Sequence, residues 1–442
     1  MVLPDPAPLP PRPDRRTPVL LVAGLPGRAS AAVDRAAAAL AHAEGTVVVR
    51  HHLEDLREGV VRRTLRTVLA TTETVLELAH GCVSCTLRAD LLPLLCTLAA
   101  RESVHRIVLE LDPAFEAEAV CQAIEDVVVT GVVGRVDGPA ARDVRVEAVL
   151  TCVDAASWLA DATGEDTLAE RGLATADDDR TVAQVAVGQV DFADALVALG
   201  PAPDPIEHDR LTAVLARLVP EAPVTWVDSP DAITAAEIEA LLTRIPAHSR
   251  RGRVFDAHAP LLRGQPSLLT EHGVTLVEFA ASRPFHPARL HDALDVLLEG
   301  VVTARGRLWL ATQPDEVVWL ESAGGGLRVG GAGPWLAAMS AEDYERADPT
   351  RRALAALGWD ERFGDRHISL VILAHEADPA EIRRALHWAL VEDDELRLVD
   401  RAPERVARWE DPFGEWHEEP CADPGEPIED IAWPKGRTGE GQ

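Results

Sequence analysis

Residues 17–42 read TPVLLVAGLPGRASAAVDRAAAALAH, and this stretch decides the fold. Its first eight residues form a nearly continuous apolar run, which is typical of a strand buried in a parallel sheet. The turn GLPG follows, and the alanine-rich segment after it predicts a helix with Ser30 as a candidate N-cap. The pattern therefore predicts a strand–turn–helix unit at the start of an α/β domain.

Strands and helices continue to alternate up to about residue 245. The apolar run RIVLELD (106–112) predicts a strand, and LRADLLPLLCTLAA (87–100) predicts an amphipathic helix. VVRRTLRTVLA (60–70) is also predicted to be helical. Alternation of this kind favours βαβ units and a mostly parallel sheet. Residues 17–245 are therefore predicted to form one α/β domain.

A second, smaller domain is predicted to follow. The segment 246–271 is polar and contains Pro and Gly, which is typical of a linker. From 272 to 400, the order strand–helix–strand–strand–strand–helix predicts an α+β domain with helices on one sheet face. Within it, GLRVGGAGPW (326–335) carries the glycines of a turn. The Pro-rich residues 1–16 predict a disordered arm, and 401–442 predict an acidic, irregular tail.

Composition limits the classes of function. The formal net charge of -30 argues against binding to a nucleic-acid backbone, which requires clustered Lys and Arg. No apolar run is long enough to span a bilayer, and the N-terminus lacks the apolar region of a secretory signal. A cytoplasmic location without a membrane partner is therefore expected. Six cysteines in 442 residues do not indicate a disulfide framework.

The glycine turn lacks the residues of a complete phosphate-binding loop. A strand that enters a helix through such a turn holds phosphate in P-loop proteins, with the pattern G-x-x-x-x-G-K-[ST]. An ungapped match places Ala29 at the second glycine and Ser30 at the lysine. In a shortened loop, Arg28 would supply the cation and Ser30 would lie near the metal. The turn predicts either a plain strand–helix connection or a weak phosphate site built from Gly24, Gly27, Arg28 and Ser30.

The segment AHGCVSCTLRADLL contains a C-x-x-C pair. Cys82 and Cys85 at this spacing can bind one tetrahedral Zn²⁺ as thiolates. His80 directly precedes them, and His51 and His52 end the second predicted strand. Since the carboxyl ends of parallel strands meet at one edge of a sheet, a site with two thiolates and histidine or carboxylate ligands is predicted there. Two thiols without a metal, or a redox pair, are the alternatives.

The same segment resembles a family signature. GCVSCTLRADLL is similar to the G-C-[IV]-C-C-T-[LI]-R-x-D-L-L motif of CobW-type proteins. RIVLELDPAFEAEAV is similar to that family's switch-region strand, with Glu110 and Glu116 kept, and SRPFHPARLHDAL and GDRHISLVIL are similar to its C-terminal domain. The family comprises P-loop GTPases that deliver or insert metals, usually zinc or cobalt. The resemblance implies a P-loop NTPase-like α/β domain and a smaller α+β C-terminal domain of CobW type.

The chain departs from the family at several motif positions. The middle cysteine of the C-x-C-C motif is replaced by Ser84, so another side chain has to supply a ligand. The P-loop lysine is absent, and Pro113 stands where a glycine N–H would bond the γ-phosphate. The guanine-recognition motif N-K-x-D falls on LGPA (199–202). These departures predict slow or absent GTP hydrolysis and argue against bound GTP and Mg²⁺.

The resemblance implies a role in metal homeostasis. The expected protein is a metallochaperone or metal-allocation factor that holds zinc and passes it to a metal-receiving client protein. By resemblance, Glu110 would belong to the nucleotide site. Two alternatives are an active GTPase that uses Arg28 in an unorthodox P-loop, and a non-enzymatic scaffold whose second domain binds a partner protein. Whether the chain is an enzyme, and whether it forms a homo-oligomer, stays open at this point.

Overall fold

The computed structural model describes residues 14–78, 83–113, 115–174, 178–202 and 204–414. The N-terminal domain contains the strands β1 (Thr17–Gly24), β2 (Thr46–His52), β3 (Val60–Arg66), β4 (Thr71–Glu77), β5 (Arg106–Glu110), β6 (Val128–Val129), β7 (Gly138–Pro139), β8 (Val144–Asp154), β9 (Ala195–Leu199) and β10 (Val224–Val227). Among the described residues, β6 and β7 pair only with each other, and the others form one sheet in the order β10-β9-β8-β1-β5-β2-β3-β4. The pairs β1–β5, β1–β8, β2–β5, β8–β9 and β9–β10 are parallel, which confirms the predicted α/β fold class.

Helices cover both faces of this sheet. They are α1 (Arg28–Leu40), α2 (Val83–Thr86), α3 (Leu92–Ala99), α4 (Ala117–Asp126), α5 (Trp158–Thr163), α6 (Val182–Asp191), α7 (Pro205–Leu218) and α8 (Ala235–Thr243), and a π-helical turn (Leu87–Leu91) joins α2 to α3. Successive side chains of β1 point to opposite faces of the sheet, since side chains alternate along a strand. Val19 and Leu21 pack with α3 and α4, while Leu20 and Val22 pack with α1 and α8. A strand buried on both faces explains its continuous apolar run.

The helix predicted over residues 60–70 is wrong. Val60–Arg66 is β3, which pairs antiparallel with β2 on one side and β4 on the other. Val61 and Leu65 both pack into the core that faces α3. Their spacing of four residues fits a helix face and a strand face equally well, so periodicity could not decide between them. The β-branched Val and Thr residues of this segment favour the strand.

The C-terminal domain is built on an antiparallel sheet. Its elements are β11 (Thr275–Ala281), α9 (Pro287–Ala293), β12 (Val301–Leu308), β13 (Glu316–Ala323), β14 (Gly326–Pro334), α10 (Ala341–Arg346), α11 (Pro349–Leu357), β15 (Ile368–Ala374), α12 (Pro379–Ala389), α13 (Asp393–Arg401) and α14 (Pro403–Val406). The strand order is β11-β15-β12-β13-β14. The turn predicted for 326–335 is wrong, because β14 pairs with β13 along this glycine-rich stretch. The segment predicted as an irregular tail begins with α14.

The second sheet is covered on both faces. On one face, Leu290 of α9 and Leu386 of α12 are fully buried in the C-terminal core. On the other face, Val302 and Leu373 share an apolar cluster with Trp158 of α5 and with α6. The two domains are therefore joined by a packed apolar interface. Every described helix is too short or too polar to span a bilayer.

Candidate functional site

The carboxyl ends of β1, β5 and β8 lie side by side at one edge of the sheet. In open α/β sheets, ligands bind in the crevice at this edge. Gly24 ends β1 at its centre. A Cβ atom on Gly24 would lie 3.0 Å from Val33 Cγ2 and 3.1 Å from the Cys152 carbonyl oxygen. Glycine therefore permits the close approach of α1 to the strand ends.

The polar groups of the glycine turn bond to each other. Gly27 is the N-cap of α1, with a φ of 106° that glycine tolerates. Its backbone N–H donates to the Ser30 hydroxyl at 3.2 Å, and that hydroxyl donates to the Gly27 carbonyl at 3.0 Å. Ser30 is thus not the N-cap that the sequence predicted. It lies in the first turn of α1 and completes a local capping loop with Gly27.

Arg28 reaches across the crevice to the ends of β8 and β10. Its Nη1 donates to Asp154 Oδ1 at 3.2 Å, and its Nη2 donates to the Asp228 carbonyl at 3.3 Å. The guanidinium also lies against Gly200, where an added Cβ would be 3.0 Å from Nη2. Gly200 belongs to the stretch that corresponds to the guanine-recognition loop of the resembled family. Arg28 therefore links the first turn of α1 to the segments that follow β8, β9 and β10.

Glu110 belongs to an internal charge cluster. It ends β5 and is 3% exposed. Arg50 Nη1 contacts both the Glu110 carboxylate and Asp34 of α1. Burial, together with the neighbouring Asp34 carboxylate, raises the pKa of Glu110 to about 7, against the opposing effect of Arg50. Glu110 is thus placed at the crevice edge, but its charge is already paired inside the protein.

These residues do not fit a magnesium–triphosphate group. Phosphoryl transfer needs a cation on the β- and γ-phosphates, a hydroxyl on Mg²⁺ and free backbone donors. Here Arg28 spans to Asp154, the Ser30 hydroxyl bonds to Gly27, and Pro113 has no N–H. This geometry gives no support to the alternative of an active GTPase that uses Arg28.

His51 lies on the face of β2 that packs toward α3. It is 3% exposed, and its Nε2 lies 2.7 Å from Asp90 Oδ2. Arg63 contacts the other oxygen of Asp90. Asp90 lies in the π-helical turn, five residues and roughly 7 Å of helix rise after Cys85. A histidine held by a carboxylate is the arrangement that fixes the ring of a metal-binding histidine.

His52 lies on the opposite face of β2, because side chains alternate along a strand. Its Nε2 is 3.3 Å from the Thr64 hydroxyl. Burial, assisted by the nearby Arg50, lowers the pKa of His52. The structure therefore separates His52 from His51. His80 and Cys82 lie outside the described residues.

Cys85 differs from the other cysteines in the described part of the chain. Cys96, Cys121 and Cys152 are buried, whereas Cys85 is partly exposed. Burial raises the pKa of the Cys96 thiol to about 11 and that of Cys152 to about 12, and it raises the pKa of Cys121 as well. Such thiols rarely become the thiolates that bind metal. Within residues 14–78 and 83–414, apart from the gaps given above, no group of three His, Cys, Asp or Glu side chains is arranged to hold a metal ion.

Sequence reasoning did not single out Asp34, Arg50, Arg63 or Asp90. Asp90 was detectable, because it is the aspartate of the R-x-D-L-L part of the family motif. The three others carry no motif signal. Their roles follow from the packing of β2 against α1 and β3.

The chain is similar to known proteins along most of its length. Residues 59–224 match the family model described as CobW/HypB/UreG, nucleotide-binding domain, and residues 274–390 match the cobalamin synthesis protein cobW C-terminal domain. A protein of Mycobacterium tuberculosis strain H37Rv, named zinc chaperone Rv0106, is 49% identical over 411 residues, which cover 92% of this chain and 95% of that protein. The chain belongs to the CobW family.

Two further proteins are similar to this chain at lower identity. The zinc-regulated GTPase metalloprotein activator 1 of Dictyostelium discoideum is 24% identical over 336 residues, 74% of this chain and 68% of that protein. The crystal structure of the Zn(II)-bound YjiA GTPase from E. coli is 15% identical with a TM-score of 0.35, and the match covers 85% of this chain and 99% of that one. CobW membership confirms the resemblance based on GCVSCTLRADLL. The ligand set of the C-x-x-C site stays a prediction.

Proposed function

We propose that this CobW-family protein is a zinc metallochaperone, which holds Zn²⁺ as cargo and passes it to a metal-receiving client protein without coupling transfer to GTP hydrolysis. One observation carries the proposal: 49% identity across 92% of the chain to a protein named zinc chaperone. The internal pairing of Arg28, Ser30 and Glu110 supports the absence of hydrolysis.

In this proposal, Cys82 and Cys85 supply the thiolates. His51 supplies a nitrogen: its Nε2 contacts Asp90, which leaves Nδ1 as the metal-binding atom. His80 is the alternative nitrogen ligand. Because Cys85 is partly exposed, the thiolates of a client could displace the ligands one at a time, which favours transfer over permanent retention.

The proposal is tested first by removing the two thiolates. The Cys82→Ser, Cys85→Ser double variant should lose the zinc that the wild-type protein holds at one ion per chain, because a hydroxyl is a poor zinc ligand beside a thiolate. Zinc content is measured by elemental analysis after dialysis, and affinity by competition with a chromophoric chelator. Ser84→Ala is the matched control, since it changes the same segment and keeps both thiols. Equal zinc content in the double variant and the control would refute the site.

The two strand histidines offer a second, internally controlled test. His51→Gln should weaken zinc binding by about 10- to 100-fold, the usual cost of disturbing an oriented ligand shell. His52→Gln should leave the affinity within about twofold, because His52 lies on the other face of β2. Circular dichroism verifies that both variants fold. Equal affinities of both variants and the wild type would remove His51 from the ligand set.

A further inference from the structure

A cleft of about 580 Å³ lies between the two domains, away from the C-x-x-C segment and the glycine turn. Its walls come from α4 and α6, from the linker segment 250–263 and from the strands β12, β13 and β14. Its volume lies in the range of small-molecule sites, roughly 300–1,000 Å³. On one side it is open above Gly331, where an added Cβ would meet no atom within 4 Å.

Arg250 lines this cleft, and its buried side-chain nitrogens have no hydrogen-bond partner among the described residues. The residue is only 8% exposed, and its Nε and Nη1 atoms are buried without a hydrogen-bond acceptor. Its guanidinium lies 4.4 Å from the ring centroid of Phe192 and 5.1 Å from that of Phe255. Cation–π contacts of this kind stabilise the guanidinium by less than the cost of burying an unpaired charge. Arg250 therefore still lacks an anionic partner.

The other charges of the cleft do not pair with Arg250 in the described structure. Asp191 is shared by two cations: Arg305 Nη1 lies 2.6 Å from Oδ1, and Arg263 Nη2 lies 3.1 Å from Oδ2. Glu118 and Glu321 line the same cleft, and in the described structure neither forms an ion pair. Burial, and then the Glu321 carboxylate, raise the pKa of Glu118 to about 7, and burial raises the pKa of Glu321. None of the carboxylates of the lining forms an ion pair with Arg250 in the described structure. The lining carries four carboxylates and four guanidiniums, namely Glu118, Asp191, Asp256 and Glu321, and Arg250, Arg263, Arg305 and Arg328.

The walls of the cleft beside these charges are apolar and aromatic. Phe255 is 44% exposed, although a phenylalanine side chain is normally covered, and Trp319 and Leu262 also line the cleft. A flat apolar body would cover these surfaces. The lining thus combines an apolar wall with one desolvated, unpaired cation.

We propose that this interdomain cleft binds a small organic anion with an aromatic or apolar body, whose carboxylate, sulfonate or phosphate group bonds to Arg250. The inference is independent of the zinc proposal, because none of its residues belongs to the C-x-x-C site. A bound anion would contact the N-terminal domain, the linker and the second sheet together. It would therefore stabilise the arrangement of the two domains.

The test uses the full-length protein and 8-anilinonaphthalene-1-sulfonate, an aromatic sulfonate whose fluorescence rises on binding. The wild type should bind it saturably at one molecule per chain. Arg250→Met should weaken binding at least tenfold, because a hydrogen-bonded charge pair contributes about 1.5–3 kcal/mol. Arg244→Met is the matched control, since Arg244 does not line the cleft and donates to the Val224 carbonyl and the Thr225 hydroxyl. Its affinity should stay within twofold.

Two further measurements separate an anion site from a structural role. The melting temperature of Arg250→Met should equal or exceed that of the wild type, because an apolar side chain replaces a buried charge without a partner. The uncharged analogue N-phenyl-1-naphthylamine should bind both proteins equally. If Arg250→Met fails to fold, Phe255→Ala is used instead, and it should lower the affinity for both probes at least fivefold.

Three results would overturn the proposal. These are the absence of saturable sulfonate binding to the wild type, an unchanged sulfonate affinity in Arg250→Met, and an equal loss of the charged and uncharged probes in that variant. Where Arg250→Met does not fold, unchanged probe binding by Phe255→Ala overturns it.

Discussion

The crevice at the sheet edge and the cleft between the domains differ in how their charged groups are paired. At the sheet edge, Arg28 contacts Asp154, and Arg50 contacts Glu110. In the cleft, Arg250 keeps two buried nitrogens without an acceptor. The sheet edge has the position of a nucleotide site, whereas the cleft contains the arginine without a hydrogen-bond acceptor. The cleft proposal therefore rests on side-chain pairing and not on the position of a motif in the fold.

The physical reason is the cost of taking charges out of water. A partner inside the protein offsets that cost at the sheet edge, so a ligand would have to compete with contacts that are already made. In the cleft only the rings of Phe192 and Phe255 offset the cost for Arg250, so an added anion would supply the missing hydrogen-bonded partner.

The largest effect is expected when the internal pairing at the edge is broken. Arg50→Ala leaves the Glu110 side chain, which is 1% exposed, as a buried charge without its cation. We expect a loss of about 3 kcal/mol in the free energy of unfolding at pH 8. Urea denaturation measures it, with Arg35→Ala on the exposed face of α1 as the control, which should change stability by less than about 0.5 kcal/mol. A loss below about 1 kcal/mol for Arg50→Ala would show that the edge is not held by this cluster.

A pH-dependent effect of similar size is expected for Glu110→Gln. The folded-state pKa of Glu110 is about 7, above its ordinary value of 4.5, so the folded protein binds this proton more tightly than the unfolded chain. Its contribution to stability is therefore complete below pH 4.5 and is lost as the pH rises through 7. Glutamine removes this titration.

Urea denaturation between pH 4 and pH 8 therefore measures the difference between the variant and the wild type. Relative to the wild type, Glu110→Gln should gain about 3 kcal/mol between the ends of that range. Glu44→Gln, which changes an exposed carboxyl group, should run parallel to the wild type. If the curve for Glu110→Gln also ran parallel to that of the wild type, the pKa of Glu110 would not be raised in the folded protein.

The smallest effect is expected for Arg28→Ala. Because Arg28 is 44% exposed, its ion pair with Asp154 should contribute about 0.5 kcal/mol or less. About 1 mM GTP with Mg²⁺ should raise the melting temperature of neither the wild type nor the variant, since a ligand stabilises only what it binds. A clear rise in the wild type that disappears in Arg28→Ala would restore the interpretation of an unorthodox GTPase.

Much of the fold could be predicted from local patterns. The run Thr17–Gly24, the turn after it and the alanine-rich helix were sufficient for the first strand–turn–helix unit, because a strand buried on both faces must be apolar throughout. The segment 60–66 was not predictable in the same way. Its apolar spacing fits two secondary structures, and only pairing with β2 and β4 selects the strand.

The candidate site shows the same division. The sequence was sufficient to identify the family, and Cys82 and Cys85 remain predicted ligands. The alternation of side chains alone implies that His51 and His52 face opposite ways. Which histidine faces the helix of Cys85 depends on the helix that packs against each face of β2. The contact between His51 and Asp90, which follows Cys85 in the same helical segment, shows that His51 is the histidine on that face.

The sequence by itself determined the first strand–turn–helix unit, the missing phosphate-loop lysine and the membership of the CobW family, because each depends on neighbouring residues. Only the tertiary structure decided that Arg28 turns to Asp154, that Arg50 neutralises Glu110 and that Arg250 remains unpaired. Pairing of charges depends on distances between residues that lie far apart along the chain, and these distances are set when the sheets and helices pack.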